Sequence, residues 1–241
     1  MDHPVIGVTT YYGKNQKGLP IVALLKAYVD AVVHQGGIPV LIPSSLPGEG
    51  HQTLLDKLDG VLFTGGGDIS IDKYKGLPHP RIHGVDEDRD TLELSMLNFC
   101  LKSEKAFLGI CRGIQLIAIG TGGTLFSHIE EQMTGALQHD YSKNFPRTFL
   151  AHKIRVEKGT QLAEILGETE IEVNSLHHQG VRSIGAKLKT AAYASDGLIE
   201  AIEIPGHPFG VAVQWHPEWL TDQESSRRLF KAFISAAGRQ K

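Results

Sequence analysis

The sequence predicts an α/β protein of three layers, in which a mostly parallel sheet lies between helices and gains antiparallel strands in its second half. Three observations predict it. Short apolar runs alternate with helical patterns through the first 110 residues. Glycine-rich turns follow two of those runs, at Gly65-Gly66-Gly67 and around Cys111. Beyond residue 150 the apolar runs succeed one another with little helix between them. Parallel strands need helical crossovers, and those helices cover both faces of the sheet. Consecutive short strands pair antiparallel instead.

Taken in order, Val5 to Thr10 is the first strand. A helix over Ile21 to Gln35 follows, closed by Gly36-Gly37, because glycine ends helices readily in the left-handed region. Ile38 to Ile42 is the next strand, Thr53 to Leu58 a short helix, and Gly60 to Thr64 a strand. Asp88 to Lys102 reads as an amphipathic helix and Ala106 to Ile110 as the strand that ends at Cys111. In the second half His152 to Val156, Ile171 to Asn174, Leu188 to Tyr193, Ile199 to Ile204 and Gly210 to Trp215 are strand-like. Asp222 to Ala237 closes the chain as a helix with Leu229, Phe230, Phe233 and Ile234 on its apolar face. Gly76 to Asp86 and Gln132 to Ala151 are loops that either cover a site or run over the surface.

No repeat, low-complexity tract or linker divides residues 1–241, which read as a single domain. The 24 basic and 27 acidic residues leave a formal net charge of -3, with no general attraction for nucleic acid or anionic membranes. Two cysteines, Cys100 and Cys111, exclude a disulfide framework and point to a reducing compartment. Met1-Asp2-His3-Pro4 leads straight into a strand without the basic stretch and apolar core of a signal peptide, so a cytoplasmic location is expected.

The chemistry centres on Phe107-Leu108-Gly109-Ile110-Cys111-Arg112-Gly113. A cysteine between glycines at a strand-to-helix turn exposes its sulfur at the sheet edge, over the N-terminus of the next helix, whose dipole favours thiolate. Cys100 has none of these features and reads as a core residue. In Val213-Gln214-Trp215-His216-Pro217-Glu218-Trp219, Pro217 pushes His216 into an extended conformation. Residues two apart in an extended segment point the same way, so Glu218 reaches His216 and holds its tautomer. Cysteine, histidine and carboxylate then form a triad recognised by roles, not by order. The Gly65-Gly66-Gly67 loop lacks the spacing of a phosphate cradle, but the N-H groups of Gly66 and Arg112 are suited to an oxyanion hole. The Arg112 side chain either lowers the thiol pKa or is solvated on the first helical turn. The adjacent His177-His178 has neither HExxH nor paired cysteines beside it, so no metal is expected.

GICRGIQ with Cys111, QWHPEW with His216 and Glu218, and the glycine loop resemble the class I glutamine amidotransferase family. Within it, NSLHHQG at 174–180, the strand leading to Trp219 and Asp88-Arg89-Asp90 resemble the stand-alone peptidase C26 hydrolases typified by gamma-glutamyl-gamma-aminobutyrate hydrolases. The resemblance runs from about Val5 to about Phe233. It implies a three-layer, flavodoxin-like fold, with Cys111 as nucleophile, His216 as base and acid, and Glu218 as orienter. It also implies that Gln115 contacts the amino-acid end of a glutamyl group, and that Asn174, Ser175 and His177 either hold the substrate or cap a turn. His178 stands where a small residue is usual, and GGGDIS replaces a loop that varies among these hydrolases. The implied reaction is hydrolysis of a small γ-glutamyl amide through a thioester, with no cofactor. The alternatives are a glutaminase subunit feeding ammonia to a separate synthase, and a non-catalytic binding module. The amine and the oligomeric state, monomer or homo-oligomer, are left open.

Overall fold

A computed structural model describes residues 3–46 and 48–239. In chain order the elements are β1 (Val5–Thr9), β2 (Tyr11–Lys14), β3 (Pro20–Ala23), α1 (Lys26–His34), β4 (Ile38–Ile42), α2 (Gly48–Leu55) and β5 (Gly60–Phe63). Then come α3 (Glu87–Ser103), β6 (Ala106–Ile110), α4 (Arg112–Gly120), β7 (Thr124–Phe126), α5 (Ile129–Gln132), β8 (His152–Val156) and α6 (Gln161–Leu166). The chain ends with β9 (Glu170–Val173), β10 (Gly180–Ser183), β11 (Lys189–Ala194), β12 (Ile199–Glu203), β13 (Gly210–Val213) and α7 (Glu224–Gly238).

One sheet runs β4-β1-β5-β6-β13-β12-β11-β8-β9, with β10 bridging β12 and β7. From β4 to β13 every pairing is parallel. From β13 to β9 every pairing is antiparallel. The parallel strands are apolar on both sides, and alternate residues feed two separate cores. Leu62, Leu108, Val211 and Val213 pack with Tyr28 and Val32 of α1 and Phe230 and Phe233 of α7. Val61, Phe63, Phe107 and Ala212 pack with Leu55, Leu92, Met96 and Ile114 of α2, α3 and α4. These are the three expected layers.

The register of β6 against β13 positions the candidate site residues. Phe107 pairs with Gly210 and Ile110 with Val213, so the two strands end together. Whatever follows Ile110 therefore meets whatever follows Val213, at the carboxyl edge where open α/β sheets bind ligands.

The helix expected over Ile21 to Gln35 begins only at Lys26. Pro20–Ala23 instead pairs antiparallel with Tyr11–Lys14 as an outlying hairpin, on which Ile21 and Val22 are exposed. The apolar run there belongs to a strand, and its β-branched residues favour that state. The short helix expected over Thr53 to Leu58 lies earlier, over Gly48–Leu55. β7, β10 and α6 carry patterns of three to six residues, too short for periodicity to separate from loop. No described helix is long and apolar enough to cross a membrane.

Candidate active site

Cys111 has φ 54° and ψ -104°, outside the regions that residues with a side chain ordinarily occupy. Such strain costs about 1–3 kcal/mol and persists only where neighbours over-determine it. Here the Cys111 N-H donates to the Val213 carbonyl at 2.9 Å, and its own carbonyl accepts from Ile114 N at 3.1 Å as α4 begins. The turn is tight because α4 presses on β5: a Cβ added at Gly113 would collide with the Phe63 carbonyl oxygen. The thiol emerges from a largely buried residue, 7% exposed.

His216 arrives from the neighbouring strand. Asn174 clamps its main chain from both sides, accepting from His216 N at 2.9 Å and donating to His216 O at 3.0 Å. The ring Nδ1 lies 2.6 Å from Glu218 Oε1, which leaves Nε2 for the thiol. Residues 217–219 form a short 3-10 turn and are not extended, because Pro217 sits at its first position. Glu218 reaches the ring through that turn instead of across a strand face. Burial opposes charge on His216, yet Glu218 and Cys111, the latter as both charge and hydrogen-bond partner, outweigh it and hold the imidazole up at about 10.

The glycine loop approaches from β5. Arg89 Nη2 donates to Thr64 O at 2.9 Å, Thr64 Oγ1 at 3.0 Å and Gly65 O at 3.1 Å, fixing the loop from behind. A Cβ at Gly66 would strike the Arg89 guanidinium, so this close approach requires glycine. Tyr28 of α1 accepts from Gly65 N at 3.0 Å and lies 3.4 Å from His216 Nδ1. Burial, together with Glu218 and Cys111, pushes its phenol well above the usual range, so it stays neutral. Among the described residues the Gly66 N-H has no acceptor, and the Arg112 N-H opens α4, where helices leave donors unpaired. Both border the same cavity as Cys111.

The Arg112 side chain is neither solvated nor free to act on the thiol. It is 2% exposed and ion-paired with Asp90 and Glu93 of α3. Arg89 completes the group, its Nε 2.8 Å from Glu93 Oε1, so two cations and two carboxylates neutralise one another inside the protein. Burial works to raise the Glu93 pKa, but Arg112 and Arg89 prevail and hold it below the usual carboxylate range. Asp88-Arg89-Asp90 was legible as a motif; its bracing of the glycine loop was not. Tyr28 has no sequence signal at all.

A cavity of about 110 Å³ is lined by Gly66, Cys111, Arg112, Gln115, His177 and Gln179. Gln115 Nε2 donates to Gln179 O at 3.1 Å and Gln214 Oε1 at 3.3 Å, presenting the amide to this space from one turn beyond Cys111. His177 Nδ1 donates to Gln179 O at 2.9 Å, and burial, reinforced by His139, holds the ring well below its ordinary pKa. Ser175 Oγ donates to His139 O at 2.7 Å and is buried outside the lining of the thiol's cavity. Asn174 also lies outside that lining, engaged by His216 and by Arg147 O at 2.7 Å. The cavity adjoins a larger one of about 560 Å³, sharing His83, Asp140, Ser142, His177 and His178 with it. Both long loops wall the larger space, through Arg81 and His83 on one side and residues 138–140 and 142–144 on the other.

A parallel sheet ending in a strained cysteine turn, beside a buried histidine-glutamate pair and paired N-H donors, defines the class of glutamine amidotransferase-like hydrolases. The chain belongs to the Peptidase C26 family, whose model matches residues 4–218. It is 34% identical to gamma-glutamyl-gamma-aminobutyrate hydrolase PuuD of Escherichia coli strain K12 over 98% of this chain and 94% of that one. It is 31% identical to the protein NtpR of Enterococcus hirae over 87% of each. In fold it is similar to the Trypanosoma brucei CTPS glutaminase domain with bound acivicin, with a TM-score of 0.65 and 16% identity over 99% of this chain and 95% of that one.

Proposed function

We propose that this hydrolase cleaves the γ-amide bond of a small γ-glutamyl compound through a glutamyl thioester on Cys111. The observation that carries the reading is the convergence on one cavity of the Cys111 turn, the His216–Glu218 pair at 2.6 Å and the free N-H groups of Gly66 and Arg112. The family and the hydrolase relatives support the same substrate class.

In this mechanism the Cys111 sulfur attacks the γ-carbonyl, and the developing oxyanion accepts hydrogen bonds from Gly66 and Arg112 N-H. His216, whose proton Glu218 and Cys111 favour, passes that proton to the departing amine. Neutral imidazole then takes a proton from water, which attacks the thioester carbonyl and releases glutamate and the Cys111 thiol. Gln115 and the 177–179 segment lie where the glutamyl group sits, and the amine extends into the larger cavity between the loops. No step needs a cofactor. A mass-spectrometric screen of γ-glutamyl amides, glutamine included, against wild type and Cys111→Ala tests the reading. Turnover of at least one amide by wild type alone supports it; equal turnover by both proteins refutes it.

A further inference from the structure

The antiparallel half carries a polar cluster that thioester chemistry does not use. Glu200, near the start of β12, is 0% exposed, and neither of its carboxylate oxygens has a hydrogen-bond partner among the described residues. Three histidine nitrogens face its Oε1: His139 Nδ1 at 3.7 Å, His152 Nε2 at 3.6 Å and His177 Nε2 at 3.8 Å. These separations exceed hydrogen-bond reach. They approach the roughly 3.3–3.5 Å between two ligand atoms of a tetrahedral ion whose bonds are about 2.0–2.1 Å long.

The far side of each ring fixes its tautomer. His139 Nε2 donates to Asp196 Oδ2 at 2.9 Å, His177 Nδ1 to the Gln179 carbonyl at 2.9 Å, and His152 Nδ1 lies 3.3 Å from the Lys153 carbonyl. With those protons committed outward, the nitrogens facing Glu200 present lone pairs. Lone pairs and a carboxylate gathered away from water repel one another unless a proton or a cation stands among them, and the 3.6–3.8 Å separations are too long for a shared proton. A carboxylate or carbonyl behind each histidine is also the arrangement that orients imidazole ligands toward a metal. By contrast, the second such group, Asp68 with His83 and His178, is already paired: His178 Nε2 lies 3.1 Å from both Asp68 oxygens.

We propose that His139, His177 and Glu200, whose ligand atoms lie within 4.8 Å of one another, bind one divalent transition-metal ion of the zinc class. Imidazole with a single carboxylate favours such an ion over calcium or magnesium. His152 Nε2 lies 3.6 Å from Glu200 Oε1 but outside this group of three, and Ser175 Oγ, 3.1 Å from His177 Nε2 and 3.4 Å from His139 Nδ1, stands beside the ion. The ion joins β12 to the 139 and 177 segments that line the cavities, so its role is positional. The ligands come from three distant segments, which is why no short motif announces them.

The test uses the full chain, stripped with a chelator and titrated with Co²⁺, then Zn²⁺. Wild type should bind about one equivalent by elemental analysis, develop the strong visible absorption of a low-symmetry cobalt site, and lose it as zinc displaces cobalt. Glu200→Gln and His177→Gln should each weaken binding at least about tenfold, with circular dichroism confirming that the variant remains folded. Cys111→Ser should bind like wild type. No uptake by wild type, undiminished uptake by both ligand variants, or loss of uptake in Cys111→Ser overturns the proposal.

Discussion

The two halves of the sheet place their candidate ligand-contacting groups in opposite ways. In the parallel half they sit on turns at the carboxyl ends of strands, and the in-phase ends of β6 and β13 bring Cys111 to His216. In the antiparallel half they lie inside, where β12, the 139 segment and the 175–179 segment enclose His139, His177 and Glu200. The first arrangement stores strain at one residue and braces it with the Arg89, Glu93, Arg112 and Asp90 group. The second gathers imidazoles around a carboxyl group that has no hydrogen-bond partner among the described residues. A strained edge and a buried cluster thus divide one sheet, and substitutions on each side should have separable effects.

The largest effect should come from the strained edge. Cys111→Ala should lower turnover of any γ-glutamyl substrate by at least about 10³-fold with the melting temperature little changed, since alanine keeps the Cβ that the strained turn already accommodates and loses only the sulfur. Kinetics and thermal melting on the same preparation check both halves of that statement. Next is the brace: Arg112→Met strands Asp90 without its cation and leaves Glu93 with Arg89 alone, and breaking a buried pair in this way costs about 3–5 kcal/mol, measurable by urea unfolding. Gly66→Ala should displace the loop from Arg89 and cut kcat by about 10²-fold, while Cys111 still reacts with a small electrophile.

The smallest effect is a shift of pH dependence. With its folded pKa raised to about 10 from an unfolded value of about 6.5, His216 contributes stability that is fully present below about 6.5 and is lost as pH rises through about 10. Glu218→Gln removes the negative charge that sustains this proton. Its basic limb of kcat/KM should fall to lower pH, and its melting temperature should decline less between pH 7 and 10 than that of wild type. Its loss of turnover should also be smaller than that of His216→Ala, because solvent partly replaces an orienting group. An unmoved basic limb in Glu218→Gln would break the link between carboxylate and imidazole.

The two halves also differ in what the sequence reveals. Cys111 between glycines and His216 before Pro217 are short local patterns with direct backbone consequences, so the turn and the strand end that bring these residues together, and the parallel strands under them, are readable from the chain alone. Arg112 shows the limit: its backbone position follows from the turn, but its side-chain partners, 19 and 22 residues earlier, follow only from the packing of α3 on α4. Tyr28 meets His216 across 188 residues with no pattern to mark it. The hairpin of β2 and β3 misleads for another reason, since exposed Ile21 and Val22 mimic the apolar face of a helix. The Glu200 cluster combines both difficulties, as an ordinary strand glutamate gains its character only when three histidines fold around it.

The most direct measurement is intact-protein mass spectrometry on samples quenched in acid within milliseconds of mixing with a γ-glutamyl amide. The predicted result is a transient species heavier by one glutamyl group, mapped by peptide digestion to Cys111 and absent from Cys111→Ala. Steady turnover with no adduct on wild-type Cys111, or an adduct on any other residue, would contradict a thioester at Cys111.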